Sequence, residues 1–160
     1  MRIGLRMAKL VEISERRRRG QPPRAVRFCS SCGEVIENAG RRRVCPACGL
    51  GVLLTATPDA LPKPPGGFVV VDRDLRVTAV SAAGARLLGD DATGRSLPAL
   101  VSAREGDGEL SRQVARAASG LSGTARLEVS VAGRRGRFEA RISPCGPPRA
   151  ALVALERPSA

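Results

Sequence analysis

The chain has 160 residues, which is enough for one medium domain or two small ones. It has no His, Trp or Tyr and only 2% aromatic residues, so any core is largely aliphatic, and the commonest general base is missing. The net charge of +12 favours polyanionic partners, and residues 1–50 hold most of it, with 12 Lys/Arg against 4 Glu. Arginine placed at ordinary solvated positions explains the same excess equally well.

The sequence lacks the pattern of an exported or membrane-spanning chain. Its longest uninterrupted apolar run, Ala150–Leu155, is far shorter than the roughly 18 residues needed to cross a bilayer. No apolar segment with a cleavage site follows the amino terminus, and the choice between Met1 and Met7 as the true start stays open. We therefore expect a cytoplasmic protein without membrane contact.

Residues 1–27 are predicted to form a basic and largely flexible arm. A short helical pattern opens it, and Pro22 and Pro23 then disfavour regular structure. An arginine run precedes these prolines and is a candidate contact for phosphates or acidic surfaces, through Arg16, Arg17, Arg18 and Arg19.

Four cysteines in two close pairs carry the strongest chemical signal in the sequence. The first pair is Cys29 and Cys32, the second is Cys45 and Cys48, and a glycine follows each pair. Zinc prefers four thiolates in a tetrahedron, and a Cys-x-x-Cys turn supplies two of them from one short loop. In a cytosolic chain this spacing favours a metal over disulfides, and four Cys ligands leave no open position for a catalytic water. We predict one structural Zn²⁺ ion.

The sequences Cys-Ser-Ser-Cys-Gly and Cys-Pro-Ala-Cys-Gly resemble the knuckles of the zinc-ribbon family, with Ser30 where that family has Pro. The resemblance implies a ribbon over residues 28–52, in which Glu34–Ile36 and Arg42–Val44 are the strands of a short β-hairpin. Zinc ribbons serve DNA, RNA and protein binding alike, so the module alone does not fix a function. A redox dithiol is the competing interpretation, but no βαβ unit flanks either pair.

Residues 53–67 are predicted to be a linker. Four prolines fall between Thr55 and Gly67, and this density indicates a semi-rigid spacer without strand partners. Gly66 and Gly67 lie in this linker, so we interpret them as a flexible point of the chain. They are not interpreted as part of a phosphate-binding loop.

From residue 68 the pattern is that of a packed α+β domain. Phe68–Val71 and Arg76–Val80 are predicted strands of a hairpin. Ser81 is placed to cap a helix that ends at Gly89, and a second helix is predicted over about 108–119.

The last third of the chain changes to a strand period. Apolar residues alternate over 127–131 and 138–142, which predicts two half-buried strands whose Arg and Glu side chains face each other. The apolar run 150–155 suits a central strand that is covered on both sides.

The run from Phe68 to Gly89 resembles the start of a PAS domain, where an Asp-containing hairpin turn precedes a helix with a Leu-Leu-Gly cap. Residues 94–101 resemble the next PAS segment, and the likeness covers 68–157, although Ser81 stands where the family commonly has Asn. It implies a five-stranded antiparallel sheet that cups helices over a small-molecule cavity, and a sensory or dimerising role.

Haem and flavin are not expected in this PAS-like domain. The chain has no His to ligate haem and no Trp or Tyr to stack on a flat chromophore. The reactive Cys of the family's flavin photosensors lies on a helix ahead of the last three strands, whereas Cys145 lies between the last two. We expect an apo domain or an apolar ligand, and we interpret Cys145 as an ordinary thiol in a strand connection.

Enzyme activity is not expected, because no nucleophile with a base, paired-carboxylate motif or phosphate-binding loop is found. The leading hypothesis is a signalling or regulatory protein whose PAS-like domain senses or dimerises, as a homodimer, while the ribbon contacts a protein partner. The alternative is a nucleic-acid-binding regulator of transcription that uses the arm, the ribbon and further arginines, namely Arg24, Arg27, Arg41, Arg42 and Arg43. The triplet 41–43 is also a candidate contact for acidic surfaces of a protein partner. The alternative interpretation is a solvated hairpin edge whose charge prevents aggregation.

Overall fold

The computed structural model describes residues 24–121 and 123–159. The predicted short helix and the arginine run 16–19 lie outside the described residues. The described part contains two antiparallel sheets and short helices, which is an α+β arrangement. No helix within these ranges is long and apolar enough to cross a membrane.

Two short strands enclose the four cysteines. They are β1 (Val26–Cys29) and β2 (Leu53–Ala56), which pair antiparallel with Val26 opposite Ala56 and Cys29 opposite Leu53. We call residues 26–56 the cysteine module. The prediction of an unpaired spacer over 53–67 is therefore wrong for residues 53–56, because β1 and β2 satisfy each other's backbone groups. It is also wrong for Gly67, which is the first residue of a strand in the larger sheet.

The remaining part of the predicted linker also contacts the fold. A 3₁₀ turn at Pro58–Ala60 buries Ala60 completely. The buried Arg141 guanidinium donates hydrogen bonds to the Leu61 carbonyl (3.3 Å) and the Glu156 carboxylate (3.0 Å), and the Lys63 N–H donates to that carboxylate at 2.6 Å. The prolines of the predicted linker therefore stiffen a segment that hydrogen bonds attach to the sheet.

The larger sheet has six antiparallel strands. They are β3 (Gly67–Val71), β4 (Val77–Val80), β5 (Val101–Ala103), β6 (Ala125–Val131), β7 (Phe138–Cys145) and β8 (Ala150–Glu156). Their spatial order is β4-β3-β8-β7-β6-β5. β8 lies between β3 and β7 and is buried at every position except Glu156, which confirms the prediction of a central strand.

The prediction of five strands is wrong, because β5 adds a sixth at the edge. Val101 pairs with Val131 and Ala103 with Val129. Three residues are too few to show a strand period, and they follow a short helix directly. They are extended because β6 offers them backbone partners that sequence alone does not reveal.

One face of the large sheet carries the main core. The helices of this region are α1 (Ala82–Leu88), α2 (Leu97–Leu100) and α3 (Asp107–Ala118). Leu110 and Val114 of α3 are fully buried in one apolar cluster with Phe138 and Ile142 of β7 and Val153 of β8. The side of the sheet where the resemblance implies a cavity is therefore packed with aliphatic side chains and one phenylalanine.

Local signals predicted this region well. The Ser81 hydroxyl caps α1 by accepting the Gly84 N–H at 3.0 Å, and it also accepts the Phe68 N–H at 3.0 Å. The expected Arg–Glu pairs between β6 and β7 are present, with Arg126 and Glu139 at 2.8 Å. Helix α3 spans 107–118 where 108–119 was predicted.

Candidate metal centre

The structure brings the four paired cysteines together at one point. Their Sγ atoms all lie within 4.8 Å of one another, with 3.6 Å between Cys29 and Cys48 and 3.8 Å between Cys32 and Cys45. A tetrahedral ion about 2.3 Å from each sulfur requires sulfurs about 3.8 Å apart. The set can therefore hold a single metal ion without rearrangement of the backbone.

Each cysteine pair lies on a tight turn that closes at its glycine. The Gly33 N–H donates to the Cys29 carbonyl at 3.1 Å, and the Gly49 N–H donates to the Cys45 carbonyl at 2.9 Å. Both glycines have positive φ angles, +78° and +69°, a backbone conformation that a residue without Cβ adopts readily. The two turns are near copies, so each presents its sulfurs to the centre in the same way.

Backbone N–H groups surround the sulfurs. The amides of Ser31 and Cys32 approach the Cys29 Sγ at 3.3 and 3.4 Å. The N–H groups of Gly51 and Leu50 lower the pKa of Cys48 to about 6. These dipoles stabilise thiolates, which are the form that binds a metal.

The cluster does not favour ionisation of every thiol. Burial, followed by contacts with the other three cysteine thiols, raises the pKa of Cys32 to about 12. Four thiolates this close repel one another, and a divalent cation at their centre reverses that repulsion. A cation at the centre would therefore balance the negative charge of the ionised thiols.

The predicted ribbon strands are wrong, because Val35 and Val44 make only single bridges, to Phe28 and Val52. Instead, β1 leads into the first knuckle and β2 leaves the second. Both strands bury side chains against the large sheet. Residues 34–36 and 42–44 instead lie at the surface, where their Glu and Arg side chains are exposed. Packing on the sheet therefore decides which segments become strands.

Gly51 is a site residue that sequence reasoning missed. A Cβ at this position would lie 2.1 Å from the Cys29 Sγ and 2.9 Å from the Ser31 backbone nitrogen. Its carbonyl also accepts the Cys45 N–H at 2.8 Å. Only its closeness to the second knuckle hinted at this role, since the knuckle motif itself ends at Gly49.

The cysteine module packs directly on the outer face of the large sheet, opposite the main core. Phe28 is fully buried and meets the Phe68 ring edge to face, with centroids 5.5 Å apart. Leu54 of β2 and Leu152 of β8 belong to the same buried cluster. The metal centre is thus one residue away from a side chain that packs on the sheet, since Cys29 follows Phe28.

Backbone hydrogen bonds reinforce this contact at two places. The Ala82 N–H, at the start of α1, donates to the Ser31 carbonyl of the first knuckle at 3.2 Å. Thr55 of β2 exchanges two hydrogen bonds with Gly146, which follows β7. The module is therefore joined to both a helix start and a strand connection of the larger fold.

The remaining predicted contact residues lie apart from the sulfurs. Arg24 and Arg41–Arg43 are exposed. Arg27 instead folds back, and its guanidinium donates to the carbonyls of Gly40 (2.6 Å) and Arg42. The side chain of Arg27 therefore shapes the loop between the knuckles, while the other four face solvent.

Cys145 is the last residue of β7 and is buried in the cluster beneath the cysteine module. Burial raises its pKa to about 12. It is therefore a protonated core thiol at neutral pH, as its interpretation as an ordinary thiol requires.

Comparison with known proteins identifies the larger fold. Residues 61–156, which is 96 of the 160, match the family model PAS_4, described as the PAS fold. No curated protein matches the chain. The matched segment contains all six strands of the large sheet and the three helices, and it starts seven residues before the predicted boundary at 68. The chain therefore belongs to the PAS fold family.

Proposed function

We propose that this protein is a signalling or regulatory protein in which a PAS domain senses or dimerises and a zinc-bound cysteine module, docked on its sheet, contacts a partner. Membership of the PAS fold family supports a sensory or regulatory role. The absence of His from the chain supports a role without general acid–base catalysis. One observation carries the proposal, namely the burial of Phe28 between the metal centre and the PAS sheet.

That contact gives the two modules a physical means of coupling. An aromatic pair adds about 0.5–1.5 kcal/mol beyond the area that it buries, so the contact of Phe28 with Phe68 adds a modest term to the burial that favours the docked state. A change in the twist or packing of β3 alters the surface on which Phe28 rests. Because coupling free energies are reciprocal, metal binding and the state of the sheet then influence each other equally.

Zinc is the proposed occupant of the cysteine site. Four thiolates at tetrahedral spacing favour zinc or iron among the common metals, and zinc adds no redox chemistry. The four ligands fill the coordination shell, so the ion would hold the module folded and would not activate water. Cytoplasmic location belongs to the same proposal, since reduced thiols are maintained there.

The test compares two valines of the large sheet. Val70 lies in the cluster beneath the cysteine module, whereas Val131 lies in the main core near the opposite edge. Chelator competition should show weaker zinc binding in Val70→Ala, by several-fold, and unchanged binding in Val131→Ala, which is the matched control. Equal zinc affinity in both variants would show that the sheet and the cysteine site are not coupled, which contradicts the proposal.

Light scattering tests the other half of the proposal. We expect the metal-loaded protein to form a homodimer or to retain a ligand or protein partner through purification. A strict monomer that retains neither contradicts the proposed sensory or dimerising role.

Nucleic-acid binding is the second candidate function, because Arg41–Arg43 are exposed on the cysteine module and Arg24 is exposed two residues before it. Binding through these residues and Arg16–Arg19 would fall steeply with salt. A duplex that is not retarded in a gel at about 50 mM salt excludes this function, since phosphate contacts are strongest there.

A further inference from the structure

The exposed apolar side chains of this protein are unevenly distributed. Among the described residues, Val44, Leu50 and Val52 are exposed by 54%, 83% and 49%, and all three belong to the cysteine module. The module is small, and most of its other apolar residues lie around the sulfurs or against the sheet, while Val35 is also exposed, by 42%. An apolar surface on such a module indicates a contact with another molecule.

We call these three residues the Val44 patch. Val44 and Val52 are directly opposite each other in an antiparallel bridge, so their side chains lie on the same face. Leu50 precedes Val52 by two residues, at the tip of the second knuckle. The three residues of the patch therefore flank the second knuckle, and their arrangement depends on its folding.

The backbone at Val44 is open for a further strand. Hydrogen bonds from Leu53 N–H to the Arg43 carbonyl and from Cys45 N–H to the Gly51 carbonyl, both 2.8 Å, flank the Val44–Val52 pair. In such a pair the N–H and C=O of Val44 point away from Val52, and they make no backbone hydrogen bond within the described part of the chain. An extended peptide can add at this edge.

Charge next to the patch selects the partner. Arg41, Arg42 and Arg43 immediately precede Val44 and are all exposed. A second copy of this chain, with its net charge of +12, would place like charges at the contact. Residues 1–23 are a poor occupant for the same reason, because they hold seven Lys/Arg and two Glu.

We propose that the Val44 patch binds an extended, acidic and apolar segment of a partner protein. The apolar side chains of that segment cover Val44, Leu50 and Val52, and its carboxylates pair with the arginines at 41–43. Nucleic acid fits this surface less well, because aliphatic side chains offer bases no stacking platform. This inference rests on the proposed function and names the chemistry of its partner.

A peptide titration with the full-length, zinc-loaded protein tests the proposal. The probe is a labelled ten-residue peptide that alternates Glu with Val or Leu, followed by fluorescence anisotropy. Two comparison peptides replace every Glu by Lys or every apolar residue by Ser. We expect saturable binding of the first peptide, at least tenfold weaker binding of the other two, and weaker binding as salt rises.

Matched variants locate the contact. Val44→Thr combined with Leu50→Ser should weaken binding at least tenfold, whereas Leu121→Ser, at another exposed apolar residue (75% exposed), should not. The triple variant Arg41→Gln, Arg42→Gln, Arg43→Gln should weaken binding. The control triple variant at three other exposed arginines should weaken it less, and it combines Arg73→Gln, Arg135→Gln and Arg149→Gln. Zinc content and amide exchange of the module, measured for every variant, show that the fold is retained.

Three outcomes overturn the proposal: no saturable binding, equal binding of the three peptides, or equal losses in the patch and control variants. A fourth outcome also overturns it: the acidic peptide does not bind, while a 20-base-pair duplex binds and the Val44 and Leu50 substitutions weaken that binding. The zinc-affinity comparison of Val70→Ala with Val131→Ala is independent of these results. Failure of the peptide test alone therefore leaves the proposed function standing.

Discussion

The PAS domain and the cysteine module are held together by different forces. The PAS core joins buried aliphatic side chains from strands and helices into one large cluster, whereas only Cys29, Ala39, Cys45 and Leu53 are buried around the sulfurs. Ordering the backbone costs about 1–2 kcal/mol per residue, which so few buried side chains do not offset. We therefore expect the module to depend on its proposed metal and on the sheet beneath it, whereas the PAS domain has a large apolar core of its own.

The sharpest way to break this comparison is to remove one sulfur ligand. Cys45→Ala should abolish stoichiometric metal binding and unfold residues 28–50, because structural zinc contributes about 10–16 kcal/mol to such modules. Strand β6 should keep its amide protection. Cys145→Ala is the control, since it removes a buried thiol that is not one of the four converging cysteines. It should leave the metal content unchanged. Elemental analysis and amide exchange measure both effects.

Removing the contact between the regions should have the next largest effect. Phe28→Ala deletes a fully buried ring, and such changes cost about 3–5 kcal/mol. Phe28→Leu keeps most of the apolar volume and should cost clearly less. Denaturant unfolding gives both values. Wild-type stability in Phe28→Ala would mean that the module does not support the PAS sheet.

The success of sequence reasoning also differs between the two regions. In the PAS domain, Ser81, the alternation around Leu127 and the apolar run 150–155 are local signals, and each predicted its element. Within the module, the cysteine spacing predicted the convergence of the sulfurs, because a few neighbouring residues determine the geometry of the ligands. The strands of the module were missed, since β1 and β2 are defined by burial of Phe28 and Leu54 on a distant sheet. Such tertiary contacts leave no periodic pattern in four residues.

A smaller effect is expected from a single methyl group beside the sulfurs. Gly51→Ala places a Cβ against the Cys29 Sγ and should weaken metal affinity by about 10–100-fold, as other changes next to metal ligands do. Gly108→Ala is the matched control, because nothing lies within 4 Å of a Cβ there and the residue is in helix α3. Chelator competition measures the affinities, and equal values would show that the turn relaxes around the added methyl.

The smallest effect concerns the thiol beneath the module. Burial raises the pKa of Cys145 from its ordinary value of 9.0 to about 12, so the unfolded chain releases this proton first as pH rises. The stability of the wild type relative to Cys145→Ala should therefore be constant below about pH 9 and fall above it, by up to about 1.4 kcal/mol per pH unit. Denaturant unfolding at several pH values measures this difference. Parallel pH curves for the two proteins would place Cys145 in contact with solvent.

Amide hydrogen exchange of β3 and β8, with and without chelation of the metal, tests the central claim most directly. The claim is that the metal-bound module stabilises the outer face of the PAS sheet through Phe28. Chelation should raise exchange throughout residues 28–50 and, to a smaller extent, in Phe68–Val71 and Ala150–Leu155, while β6 stays protected. Unchanged exchange in β3 and β8 after complete metal loss would contradict the account.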